Sequence, residues 1–447
     1  MDSQGRPGPD NRVTDMKRIL LAATALLAWA AAPASAADLA PKMVTKAPQA
    51  IWDWTGFYVG GYVGVGTNRS HAFDPTAGAS GELDFVGTGF TGGGVAGYNW
   101  QVSRNWVVGI EGDIGYLGLS HNSLDYNEGA AQLFTNQETN WLATLRGRVG
   151  YTTGPNLTYV TGGAAWVHTK DSLVSTAGAV SSSETKTGWV YGSGTETMLG
   201  GGWTAKAETL YVNAGDSTLS NGTFGTQTEH RYAMQRFGVN YLFGAKPQPA
   251  LPQYNWSGAY AGIIGGSANT QIKLTDPTGI LPGEFGNNGS GFHVGGNVGY
   301  NWQISPMWVV GVEGDFSYFG LNHSVDNYND SLALYTVVTH WIATARARVG
   351  YSTGPALLYV TGGGAWVNVN EHWNWGSGEV AADKTLSGYT IGGGIETVLW
   401  NGWTSKNEYL FVDVGNGSVL NAPPGVRVQG DHEYHLFRTS LTYKFGG

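Results

Sequence analysis

The chain has 447 residues and a net charge of −9, with 70 glycines, 18 Trp, 23 Tyr and 15 Phe, no cysteine, and charged residues at only 13%. Glycine is more than twice its usual share of roughly 7% and charge about half the usual ~25%, which argues against an ordinary soluble enzyme. The aromatics exclude a disordered chain, the missing thiols exclude disulfides, thiolate metal sites and cysteine nucleophiles, and the acid excess disfavours a nucleic-acid partner.

In chain order, residues 1–36 read as an N-terminal extension plus a secretory signal. The signal proper is 16–36, with Lys17 and Arg18 at its start, an apolar run from Ile19 to Ala32 and the small-residue site Ala34-Ser35-Ala36. The run is too short for a spanning helix. Residues 37–53 form a tether expected in the periplasm. Period-two strands follow at Trp54 to Gly66, Gly89 to Gln101, Trp106 to Ser120, Trp141 to Tyr151, Leu157 to His168, Thr187 to Leu199, Trp203 to Asn213 and Arg231 to Phe243. The connections between them alternate. Those at 102–105, 152–156 and 200–202 are short, while those at 67–88, 121–140, 169–186 and 214–230 are long.

This 54–243 block recurs. Gly97-Tyr98-Asn99-Trp100-Gln101 returns 202 residues on as Gly299-Tyr300-Asn301-Trp302-Gln303, and Tyr159-Val160-Thr161-Gly162-Gly163 returns 200 residues on from Tyr359. The copies, 54–243 and 256–447, flank a Pro-rich linker at 244–255, also expected in the periplasm.

The polarity of the strands is inverted. Trp106, Val108, Ile110, Gly112, Ile114 and Tyr116 share one face, against Glu111 and Asp113 on the other; Trp141 through Tyr151 repeats the scheme against Arg146 and Arg148. The terminal aromatics of these strands project to roughly 25 Å apart, the height of a lipid-facing band. Trp106, Tyr116, Trp141, Tyr151 and, in copy two, Trp308, Tyr318, Trp341 and Tyr351 form the expected aromatic girdles. Alternating short and long connections place both termini on one side, the periplasm, in an outer-membrane barrel. The expected fold is all-β: two tandem eight-stranded, antiparallel, up-and-down transmembrane barrels, with one sixteen-stranded barrel as the alternative. The facing of strands one, two and five stays open, and Ser405 and Asn407 fall where lipid contact is expected.

Inward charges balance. Copy one places Glu111, Asp113, Glu196 and Glu208 against Arg146, Arg148, Lys206 and Arg236; copy two places Glu313, Asp315, Glu396 and Glu408 against Arg346, Arg348, Lys406 and Arg438. A salt-bridged plug satisfies such charges without a ligand, since eight strands enclose only enough space for side chains. A pore constriction is the second reading and a carboxylate acid/base pair the third, the arginines disfavouring the latter. The paired histidines His121/His323 and His230/His432 lie near the outer strand ends, where rim metal or haem binding is conceivable but solvation is the plainer reading. No G-x-S-x-G, H-E-x-x-H or P-loop pattern is evident. No cofactor, metal or catalytic residue is expected.

Trp54-Thr55-Gly56-Phe57-Tyr58-Val59-Gly60-Gly61, the Gly97 to Gln101 turn entry, Arg146-Gly147-Arg148-Val149-Gly150-Tyr151 and Tyr159 to Gly163 resemble the small, porin-like Gram-negative outer-membrane β-barrel family, related in shape to the OmpA transmembrane domain. The resemblance implies a surface or structural role, with a porin as alternative and an outer-membrane lipid-modifying enzyme third. It implies outer-membrane lipid and lipopolysaccharide as partners, an extracellular ligand for the long loops, and barrel-assembly machinery reading a C-terminal signal. Here Phe445 is followed by two glycines, so that signal falls on Phe437, Leu441, Tyr443 and Phe445.

Overall fold

The computed structural model describes residues 52–73, 82–125, 133–175, 178–220, 225–244, 251–275, 284–326, 334–374, 378–422 and 426–446. The expected signal segment lies outside them. Residues 50–447 form one compact unit.

Sixteen strands make two closed antiparallel barrels. The first comprises β1 (Gly56–Phe73), β2 (Glu82–Gln101), β3 (Trp106–Asp125), β4 (Leu133–Thr152), β5 (Asn156–Ser175), β6 (Gly178–Gly200), β7 (Trp203–Ser220) and β8 (Gly225–Leu242). The second comprises β9 (Gly258–Thr275), β10 (Glu284–Gln303), β11 (Trp308–Asp326), β12 (Leu334–Ser352), β13 (Ala356–Asn374), β14 (Glu379–Trp400), β15 (Trp403–Ala422) and β16 (Val426–Lys444). Closure decides between the two architectures. β8 pairs with β1, Gly64 opposite Arg236, and β16 pairs with β9, Gly266 opposite Arg438. The sixteen-stranded alternative, which needs β8 on β9, is therefore overturned; each copy closes its own ladder of paired strands, as a membrane-spanning sheet must.

The inverted polarity holds. Trp106, Ile110, Ile114 and Tyr116 are exposed on the outer face, while Glu111 and Arg146 are 1% exposed. The open registers are also resolved: β1 turns Tyr58 and Tyr62 inward, β2 Val95 and Asn99, and β5 Leu157, Tyr159 and Val167.

Two sequence expectations need correction. The strands are longer than the apolar alternation indicated: residues 67–73 and 82–88, read as loop, are paired strand. A 20-residue strand rises about 66 Å, whereas a bilayer takes only 9–11 tilted residues, so the sheet continues beyond the girdles, where nothing requires its outer face to be apolar. The other correction concerns Trp54. The first strand starts at Gly56, and Trp54 precedes it as an almost fully buried side chain, 1% exposed.

Candidate functional site

The lumen of each barrel is filled in layers from the short-turn rim upward. At that rim sits the tryptophan. Trp54 donates through Nε1 to Thr152 Oγ1 at 3.1 Å and to the Gly154 carbonyl at 3.2 Å, and its backbone N–H donates to Gln101 Oε1 at 2.9 Å. Its ring packs on Val107, Leu157, Tyr159 and Met198. Trp256 repeats the arrangement with Ser352, Gly354 and Gln303, over Val309, Leu357 and Tyr359.

Above it lies the charged layer. Strand register sets Glu111 opposite Arg146, Glu196 opposite Lys206 and Glu208 opposite Arg236 on neighbouring strands. The side chains then bridge the lumen as well. Arg146 contacts Glu111, Asp113 at 2.8 Å and, from across the barrel, Glu208 at 2.9 Å. Arg148 reaches Glu196 at 3.0 Å, Lys206 reaches Glu111 at 3.0 Å, and Arg236 joins Asp113 at 2.9 Å to Glu208 at 2.6 Å. The second barrel reproduces this with Arg346 on Glu313, Asp315 and Glu408, Arg348 on Glu396, Lys406 on Glu313, and Arg438 on Asp315 and Glu408. All sixteen charged residues are buried.

Neutral groups that the sequence reading did not single out complete the layer. Tyr58 donates to Glu111 at 2.7 Å and Tyr159 to Glu208 at 2.9 Å, while the Arg148 guanidinium lies 4.7 Å and 5.2 Å from their ring centres. Thr144, Thr204, Asn99 and Asn240 supply further hydrogen bonds. Glycine makes room for the tyrosine: a Cβ on Gly97 would stand 2.3 Å from the Tyr58 hydroxyl, and one on Gly299 the same distance from that of Tyr260. The signal was present in the repeat, since Tyr58 and Tyr260 share its spacing, but facing on strand one could not be read.

Farther up, the lumen turns apolar, with Leu117, Leu142, Val167, Val190, Leu210 and Met234 packed together in the first barrel and Phe319, Ile342, Val367, Leu386, Leu410 and Leu436 in the second. Over this sits a polar layer around His230. The solvation expected for His230 and His432 is corrected, since both are buried. Gln137 Nε2 donates to His230 Nδ1 at 2.7 Å, so Nε2 carries the proton and donates to Ser217 Oγ at 2.8 Å. His432 pairs with Glu371 at 3.1 Å. Among the described residues no group of three or more His, Asp or Glu side chains is placed to hold a metal ion. The side chains of His121 and His323 lie outside the described ones.

Of the girdle residues, Trp106 meets Tyr151 edge-on at 5.5 Å and Trp308 meets Tyr351 at 5.8 Å, whereas Trp141 stacks on His168 and Trp341 on Phe316. Tyr116 and Tyr318 are exposed. At the end of the last strand Tyr443 and, just beyond it, Phe445 are exposed and pack edge to face, and Leu441 lies opposite Ser405; Phe437 is buried against Tyr409.

Ser405 and Asn407 find their explanation between the barrels. Both point away from their own lumen and both are buried; Asn407 Nδ2 donates to Thr195 Oγ1 of the first barrel at 3.0 Å. The same seam carries Asn269 Nδ2 to Thr67 Oγ1 at 2.8 Å, the Tyr211 hydroxyl to Ser267 Oγ at 2.8 Å, and Asn156 Nδ2 to the Val398 carbonyl at 2.8 Å. Ala205, Ala207 and Ile395 form its apolar centre. Thr67 and Asn269 are equivalent positions of the two copies, 202 residues apart, so the seam joins like patches as an isologous dimer does.

Comparison with known proteins agrees with this architecture. The sequence family described as outer membrane protein beta-barrel domain matches residues 22–231 and again 238–445. The 31 kDa outer-membrane immunogenic protein of Brucella melitensis is 36% identical over 246 residues, 51% of this chain and 100% of that protein. The 25 kDa outer-membrane immunogenic protein of the same organism is 29% identical, covering 48% of this chain and 92% of its own length. Among solved structures, the P. putida toluene transporter TodX aligns with 90% of this chain and 91% of its own at 10% identity and a TM-score of 0.27. Each of these Brucella proteins thus matches about half of this chain. The chain belongs to the outer membrane protein beta-barrel domain family and carries that domain twice.

Proposed function

We propose that the protein is a closed, non-catalytic pair of outer-membrane barrels with a structural and surface role. Both termini face the periplasm, and the long-connection rims are displayed outside for extracellular ligands. The carrying observation is the cross-lumen contact of Arg146 with Glu208 at 2.9 Å, set between a tryptophan layer and an apolar layer, with its counterpart at Arg346 and Glu408. Three successive layers of different chemistry would obstruct an aqueous path, and a paired, hydrogen-bonded charge cluster resists opening. The immunogenic relatives suit a surface-displayed protein. Outer-membrane lipid and lipopolysaccharide would surround the girdles, and the assembly machinery would read the exposed Tyr443 and Phe445 of the last strand.

Planar-bilayer recording of the refolded chain tests this reading. The expected record is silent. Stable unitary steps whose ion selectivity changes on Arg146→Ala or Arg346→Ala would establish the porin instead.

A further inference from the structure

Beside the polar seam, on the lipid-facing surface, the barrels leave an open groove of about 840 Å³. That lies within the ~300–1,000 Å³ of small-molecule sites. Gly61, Val63 and Val239 form one wall, Leu358 and Val360 the other, and Trp308 and Tyr351 stand at its short-turn end. The lining is almost wholly apolar.

Gly61 is informative. A Cβ there would meet only the Gly93 carbonyl oxygen, at 3.5 Å, so packing within its own barrel does not require glycine. What its absent side chain leaves is groove. A polypeptide segment entering such walls would bring N–H and C=O groups with no partners, whereas a hydrocarbon chain brings none. Trp308 and Tyr351 belong to the girdle, the level at which aromatic rings meet lipid headgroups, which sets the polar end of an occupant beside them and its tail toward the membrane midplane.

We propose that this groove binds one acyl chain of a phospholipid, held between the two barrels in the leaflet of the short-turn rim. The lipid class rests on the reading that this rim faces the periplasm, because the opposite leaflet is built of lipopolysaccharide. The site exists only because two copies are joined, and it extends the seam that Asn407 and Asn269 already close. A lipid there seals apolar wall that neither barrel covers for the other.

Native mass spectrometry of the full chain, extracted from outer membranes in mild detergent, reads the site directly. One retained phospholipid per chain is expected. Gly61→Leu, which fills the groove, should lower that retention by at least about tenfold, a loss of ~1.4 kcal/mol. Gly112→Leu, on the outer face of β3 where a Cβ also has room, should leave it unchanged. Heat-modifiable gel mobility verifies that both variants are folded. Equal retention by Gly61→Leu and the parent, or no retained lipid in the parent, overturns the proposal. Retained lipopolysaccharide that Gly61→Leu removes also overturns it, locating the error in the orientation and not in the groove.

Discussion

At the scale of single residues, the charged layer depends on balance among fully buried side chains. Arg146 touches three carboxylates, those of Glu111, Asp113 and Glu208, and among the described residues no other cation contacts all three. Arg146→Ala strands buried negative charge, and removal of one partner from a buried ion network costs about 3–5 kcal/mol. Urea unfolding of the refolded protein in detergent or lipid should show that loss. Replacing the whole cluster by apolar residues of matched volume should cost far less, because no charge is left uncompensated. An Arg146→Ala variant as stable as the parent would mean that water reaches the layer. The copies differ at several neighbours: Arg236 lies over the Tyr62 ring at 4.1 Å where the second barrel has Ile264, and Asn297 donates to Glu313 where the first barrel has Val95.

At the scale of elements, the short segment ahead of each first strand acts as a stopper. Trp54 is held by three hydrogen bonds and a ring of apolar contacts, so Trp54→Ala should cost about 3–5 kcal/mol, the usual range for a buried tryptophan. It should nevertheless leave the planar bilayer silent, since the charged and apolar layers above remain. Channel steps in Trp54→Ala alone would make the tryptophan the gate and the ion pairs incidental. Trp54 also marks what sequence could reveal. Strand identity, facing and charge pairing were legible wherever alternation was strong, as from Trp106 to Tyr116, because a lipid-facing strand must be apolar at every second residue. Trp54 has the aromatic character of a girdle residue and stands at the start of an alternating run, so the sequence reads it as strand; only its hydrogen bonds to Thr152 and Gly154, about a hundred residues away, identify it as a stopper. The strand extensions were missed for the opposite reason, since outside the membrane the outer face carries no apolar signal.

At the scale of the whole molecule, the question is what a second barrel adds. Each copy closes its own ladder of strands, so joining them is not needed for closure. Ser405 and Asn407 looked misplaced in the sequence because a single barrel would present them to lipid, and an interface between barrels could not be read from a period-two pattern. In hydrocarbon, where Leu side chains gain nothing by meeting each other, polar pairs such as Asn269 with Thr67 supply the attraction that water would otherwise supply. Each such bond contributes roughly 0.6–2 kcal/mol, and these bonds, together with the covalent linker, hold the barrels in one arrangement. The chain has no cysteine, which permits a direct check. In Thr67→Cys with Asn269→Cys, oxidation or a short bifunctional thiol reagent should link the two positions within one chain in native membranes, giving a monomer of altered, reductant-sensitive mobility. The pair Ile110→Cys with Val312→Cys, on exposed outer faces, should remain unlinked. Links that form only between chains, or equal linking of both pairs, would show two barrels that drift independently on their tether, and the seam would then not exist in the membrane.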